Sequence, residues 1–265
     1  MSKLTTHRLT QGLRRRLVNW FDHRLVRWYR LGEYQQAWYM RRLLPLLDVD
    51  LVLDVGGNEG QFARFLRSRA GYKGRLVTFE PIPELAEKLR EVAASDSRWT
   101  IVEAALGDVP GSDFFNVMKS SPLSSLLQPS AAGTQRLISH NEVARRIPVQ
   151  IRTLDEIMER EPSLAAAKSV YLKIDVQGCE RQVLDGASTL LPRVVALQTE
   201  LNVLPLYHGA PDYKELMAHL EQLGYVLSFI PAHNYEQFPD MIDFDGHFVR
   251  RDRLKQMGLL AQGGS

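Results

Sequence analysis

The sequence predicts an α/β fold built on a doubly wound, mostly parallel sheet, and three observations carry that prediction. Apolar runs of strand length alternate with amphipathic segments of helix length from residue 51 to residue 223. The first run, Leu51-Val52-Leu53-Asp54-Val55, ends in a glycine-containing turn, Gly56-Gly57-Asn58-Glu59-Gly60, that feeds a helix-forming stretch. Four predicted strands end in acids, Asp54, Glu80, Asp175 and Glu200, and ligands on open α/β sheets bind at the carboxyl ends of the strands.

In chain order, residues 1–48 form a basic, helical N-terminal extension and residues 49–265 the main domain. The extension carries ten Lys/Arg against three acids, with Leu17, Trp20, Trp28 and Leu31 at helical spacing. Such an amphipathic stripe needs a cover. Packing on the domain, a lid over the cleft, a homodimer surface and an anionic substrate or membrane face are the uses open to it. After the turn comes a helix over 61–69, a strand over 75–79 running into Glu80-Pro81, a helix over 84–94 and a third strand over 99–104. Residues 107–139 are polar with weak periodicity and read as loop. A short strand over 149–152 and a short helix over 154–160 lead to the strongest buried strand, 170–176. A helix over 182–190, a strand over 194–200 and a helix over 213–223, closed by Gly224, follow. Residues 225–230 and 247–250 suit a C-terminal antiparallel hairpin.

Composition narrows the function classes. The 265 residues suffice for one large core, and 45% hydrophobic with 24% charged residues is ordinary globular composition. A net charge of +2 argues against a nucleic-acid partner. The single Cys179 excludes an internal disulfide and suits a reducing cytoplasm. No apolar run is long enough to span a bilayer, and no signal peptide is expected.

The glycine spacing decides among nucleotide ligands. Gly56, Gly57 and Gly60 do not fit the order G-x-G-x-x-G of a dinucleotide fingerprint. Glu80, 20 residues after Gly60, suits a carboxylate accepting hydrogen bonds from ribose hydroxyls, a geometry that serves NAD and S-adenosylmethionine alike.

Taken together, Asp54-Val-Gly-Gly-Asn-Glu-Gly60, Phe79-Glu80-Pro81, Ala105-Leu106-Gly107-Asp108 and Leu172-Lys-Ile-Asp175-Val-Gln177-Gly-Cys179-Glu180 resemble the FkbM-type methyltransferases. The likeness runs from about residue 50 to 250. It departs at Gln177, where an acid is usual, and at Cys179, where alanine is usual. It implies a class I methyltransferase Rossmann-like fold, S-adenosyl-L-methionine as cofactor, and a small hydroxylated acceptor such as a saccharide or polyketide. By the same resemblance Gly56, Gly57, Asn58, Gly60, Glu80, Pro81 and Ala105 line the cofactor. Asp54 or Asp175 meets its amino acid end, and Asp108 meets the adenine amino group.

For proton removal from a hydroxyl the candidates are Asp175, Glu200 and His208, with His247 behind them. Asp243-x-Asp245-x-His247 is read as surface polars rather than a metal site, and Cys179 as a packing residue. The expected function is O-methylation. The alternatives are an oxidoreductase using a nucleotide cofactor on a Rossmann sheet and a noncatalytic nucleoside-binding domain.

Overall fold

The alternation along the chain becomes a layered sheet in the computed structural model, which describes residues 31–131, 142–232 and 241–260. Helix α1 (Leu31–Leu46) leads into β1 (Leu51–Val55), α2 (Gln61–Ser68), β2 (Arg75–Phe79), α3 (Pro83–Ala93) and β3 (Trp99–Val102). Then come β4 (Ala105–Leu106), β5 (Gly111–Met118), β6 (Val143–Arg152), α4 (Leu154–Arg160) and α5 (Pro162–Ala165). The chain continues through β7 (Val170–Ile174), α6 (Glu180–Asp185), β8 (Val194–Asn202), α7 (Tyr213–Gln222), β9 (Tyr225–Phe229), β10 (Asp243–Arg250) and α8 (Arg251–Gln256).

Seven strands form the main sheet in the order β3-β2-β1-β7-β8-β10-β9. The first five are parallel, while β10 lies antiparallel between β8 and β9. Every residue of β1 and of β7 is buried, as central strands covered on both faces must be. The strand order reverses between β1 and β7, so the crevice beyond their carboxyl ends is the topological switch point. Register sets Asp54 opposite Lys173 on one side and Thr78 on the other.

The described part of the N-terminal extension packs on this sheet. Met40, Leu43 and Leu44 of α1 join one apolar cluster with Val52, Leu66, Tyr171 and Val249. Tyr39 stacks on Phe229 with ring centroids 4.6 Å apart. Residues 1–30, with the rest of the basic stripe, lie outside the described residues.

Several boundaries differ from expectation. The third strand stops at Val102, and Ala105–Leu106 crosses into a second, three-stranded sheet of order β4-β6-β5. Residues read as loop contain β5, whose first four residues are all exposed and so show no alternation. The short strand at 149–152 is only the end of β6, whose first four residues are likewise exposed. The helix expected over 182–190 ends at Asp185, where Asp155 takes the N–H groups of Thr189 and Leu190 instead. The hairpin strand begins at Asp243 rather than at 247, because its N-terminal half is laddered to β8.

Candidate active site

A cavity of about 490 Å³ opens at the switch point. Its floor is the turn after β1. Gly56 (φ +83°) and Asn58 (φ 45°) both adopt left-handed backbone there. The turn is drawn in by hydrogen bonds from the N–H groups of Gly56 and Gly57 to the Phe79 carbonyl, at 3.1 and 3.0 Å. Closeness to neighbouring strands is what demands glycine. A Cβ on Gly56 would lie 1.8 Å from the Asp175 carbonyl oxygen, and one on Gly57 would lie 2.2 Å from Thr78 Cγ2. The protein's own atoms, backbone at Gly56 and the Thr78 side chain at Gly57, forbid side chains here more than ligand space does.

Glu80 stands at the end of β2 on the cavity wall, 3% exposed. Its Oε2 accepts from Asn58 N–H at 2.7 Å and its Oε1 from Ile82 N–H at 2.9 Å. Each oxygen thereby keeps further acceptor capacity. Burial pushes its carboxyl up to about 7, against the lowering effect of the two backbone N–H groups. Beside it, Ile82, Leu85, Ala104, Ala105, Leu106 and Phe115 form an apolar wall.

Lys173 holds the opposite, polar side. Its Nζ donates to the Gly56 carbonyl at 2.8 Å and pairs with Asp54 Oδ1 at 3.2 Å and Asp175 Oδ2 at 3.4 Å. Burial opposes its charge, but Asp175 and Asp54 overcome burial and keep the ammonium protonated. Asp54 also accepts from Thr78 Oγ1 at 3.2 Å.

The turn after β7 is built around Glu180, which is fully buried and accepts from the N–H groups of Gly178 and Val176 at 3.0 and 3.3 Å. Burial pushes its carboxyl up to about 7. Gln177, at φ 58°, places its Nε2 3.0 Å from Asp175 Oδ1 and 3.2 Å from Glu200 Oε2. Burial, then the neighbouring Asp175, Asp243, Glu180 and Asp245, push the Glu200 carboxyl well up.

The structure thus brings together Gly56, Gly57, Asn58, Glu80, Pro81, Ala105 and Asp175 on one cavity. The other expected residues lie off its wall. Asp54 is wholly buried behind the glycine turn, its carboxylate turned to Lys173 and Thr78. Gly60 starts α2 in left-handed backbone, where a Cβ would meet Leu89 Cδ2 at 2.7 Å. Asp108 is exposed, because β4 carries the chain away from the sheet's edge. His208 is exposed too, tied to the Gln128 carbonyl through its backbone N–H. Glu200 sits behind Gln177 rather than on the wall.

His247 is buried, with Nδ1 2.9 Å from the Tyr171 hydroxyl, and burial pushes it down to about 3, so it is neutral. Cys179 lines the cavity, but burial pushes its thiol up to about 12, far from a reactive thiolate. Sequence reasoning missed Lys173, Gln36 and Glu33 of α1, and Ser121, Pro122, Ser124 and Leu126, which close the far wall. Lys173 had a signal: with Asp175 two residues on, it shares the face of a period-two strand. The others depend on tertiary packing alone.

Residues 54–227 match the family model described as the methyltransferase FkbM domain. The 2-O-methyltransferase NoeI of Sinorhizobium fredii (strain NBRC 101917 / NGR234) is 29% identical over 202 residues, 71% of this chain and 79% of that protein. The crystal structure of a methyltransferase FkbM from Methylobacillus flagellatus KT aligns over 76% of this chain with a TM-score of 0.50 and 17% identity. The chain spans 44% of that protein's length, and at such identity the likeness concerns the fold alone.

Proposed function

The chain belongs to the FkbM methyltransferase family, and from that premise we propose that it methylates a hydroxyl oxygen of a small acceptor held beside Asp175. It is an S-adenosylmethionine-dependent methyltransferase on the class I methyltransferase fold. The readings as a nucleotide-cofactor oxidoreductase and as a noncatalytic domain are set aside.

One observation carries the proposal. A single cavity at the switch point joins the carboxylate that ends β2, Glu80, to the carboxylate just past β7, Asp175. The residues fit the cofactor on their own chemistry. Glu80 has spare acceptor capacity for a ribose diol, and the wall from Ala104 to Leu106 with Phe115 suits a flat apolar ring. S-adenosylmethionine, when bound, supplies a methyl group already activated on a sulfonium sulfur.

The remaining work is positioning and proton removal. Asp175 would accept the acceptor's hydroxyl proton as that oxygen takes the methyl group. Lys173 on Oδ2 and Gln177 on Oδ1 fix the orientation of that carboxylate. Glu33 and Gln36 of α1 contribute to the acceptor side of the wall. The relative's name, a 2-O-methyltransferase, supports oxygen as the accepting atom, and the acceptor class we propose is a saccharide, polyketide or similar small metabolite. The buried lone Cys179 suits the cytoplasm as the compartment. Among the described residues no helix is long and apolar enough to cross a membrane.

Isothermal titration with S-adenosylhomocysteine and NAD, followed by mass spectrometry of hydroxylated acceptors incubated with S-adenosylmethionine, tests the proposal. Binding of S-adenosylhomocysteine but not NAD, with one methyl gained on an acceptor oxygen, is expected. A folded protein that binds NAD instead, or methylates only nitrogen or carbon, overturns it.

A further inference from the structure

We propose that Gln177 is a positioning residue whose side-chain amide clamps Asp175 and Glu200 into one fixed carboxylate pair, leaving Asp175 to face the acceptor hydroxyl. The proposal rests on the reading of Asp175 given above and deepens it.

The geometry is specific. One nitrogen, Gln177 Nε2, stands within 3.2 Å of both carboxylates, and an amide NH₂ has one hydrogen for each. The opposite end, Oε1, lies 3.2 Å from the Tyr207 hydroxyl. Rotating the amide would set its oxygen against two carboxylate oxygens, so the contacts to Asp175 and Glu200 fix its orientation, while the Tyr207 hydroxyl, shared with the Leu123 carbonyl at 2.6 Å, adds little. The backbone is held as well: the Gln177 carbonyl accepts from Ser125 Oγ at 2.7 Å, and its left-handed φ of 58° is fixed within the Glu180-capped turn.

The surroundings explain why an amide matters. From β7, Lys173 pairs with Asp175; from β1, Asp54 shares that cation. Glu180 of α6, Asp243 and Asp245 of β10, and Tyr207 from the loop after β8 complete the ionisable neighbours of Glu200 and Gln177. Apart from Lys173 and the tyrosine, all are acids. A glutamate at 177 would add another, within hydrogen-bond distance of two existing carboxylates, and take away their shared donor. Like charges at such range raise one another's proton affinity.

Two variants test the clamp in the full-length protein. Q177E keeps shape and backbone while replacing the donor by an acid. Its kcat/KM should fall on the acid side, with the limb moved up by about one pH unit or more, while S-adenosylhomocysteine affinity stays near that of wild type. In the ligand-free protein its melting temperature should drop further below wild type at pH 8 than at pH 5, since the added repulsion disappears on protonation. Q177A, which adds no charge, should also move the limb upward by removing the donor to Asp175. An unmoved limb in folded Q177A, together with a pH-independent melting deficit for Q177E, overturns the clamp. If wild type transfers no methyl to any hydroxyl, the assignment of Asp175 falls, and the melting comparison alone decides the clamp.

Discussion

Lys173 Nζ lies 3.2 Å from Asp54 Oδ1, with the two side chains only 7% and 0% exposed. Burial pushes the acid up, and the lysine charge pulls it back; the ammonium itself stays protonated because Asp175 and Asp54 both face it. Breaking a buried pair from one side leaves an uncompensated charge. K173M should therefore cost about 3–5 kcal/mol of stability. Adding D54N should recover part of that loss, because the stranded carboxylate is gone. Urea unfolding of the single and double variants checks this. Equal, additive losses would show that the two residues act independently.

The glycine turn makes a different prediction from the one its motif suggests. A motif reading places Gly56 against the cofactor, so that substitution should spare the fold and abolish binding. Any Cβ at this position would come within 1.8 Å of the Asp175 carbonyl oxygen, which makes Gly56 a junction between β1 and β7. G56A should lower stability by at least about 3 kcal/mol, through strain at φ +83° and displacement of the Asp175 backbone. Thermal melting without ligand reads it. A G56A protein that melts like wild type yet binds no S-adenosylhomocysteine would restore the motif reading.

Glu80 carries a pH dependence whose sign can be worked out. Its folded-state value of about 7 is raised from 4.5. The folded state therefore holds its proton where the unfolded state has lost it. Stability from this group is fully present below pH 4.5 and is lost as pH rises to about 7, on the order of 3 kcal/mol in all. Ligand binding runs the other way. A diol donates to the ionised carboxylate, so S-adenosylhomocysteine should bind about tenfold more tightly at pH 8 than at pH 6. E80Q should flatten both dependences, and E80A should weaken binding by about 1.5–3 kcal/mol. Calorimetry at the two pH values decides, and a pH-independent affinity in wild type would remove Glu80 from the cofactor's contacts.

The parts of this site that were legible in the sequence are those fixed by position along a strand. Leu51–Val55 and Arg75–Phe79 are short, wholly or nearly wholly buried strands with turns at both ends, so their limits and the acids just beyond them could be read directly. Glu80 and Asp175 reach the cavity for that reason. Asp54 shares the strand-end signature, but its row partner Lys173 claims it, and pairing across β1 and β7 is not written in either segment. Gln177 looked like a lost charge. Its two carboxylates arrive from β7 and β8, and its tyrosine from the loop beyond, so only the assembled sheet shows an amide serving both. Ser121, Pro122, Ser124 and Leu126 follow β5 around a short 3-10 turn, where no strand or helix period marks a residue as facing the cavity.

Asp175 is the acid on which the proposed chemistry turns, and its two neighbours make its substitution informative. D175N keeps the shape, and its one amide oxygen can stay on Lys173 while its NH₂ replaces the oxygen that faced the Gln177 amide, so one contact is lost but the cavity should survive. It cannot take the hydroxyl proton. Turnover should fall about 100- to 10,000-fold, the range of a lost general base, while S-adenosylhomocysteine affinity changes by less than about threefold. E200Q, one residue further from the cavity, should leave most turnover in place, because Glu200 acts through Gln177. Single-turnover assays with saturating S-adenosylmethionine separate chemistry from binding. Near wild-type turnover by D175N would pass the role of base to another group. A large loss in E200Q with D175N active would pass it to Glu200.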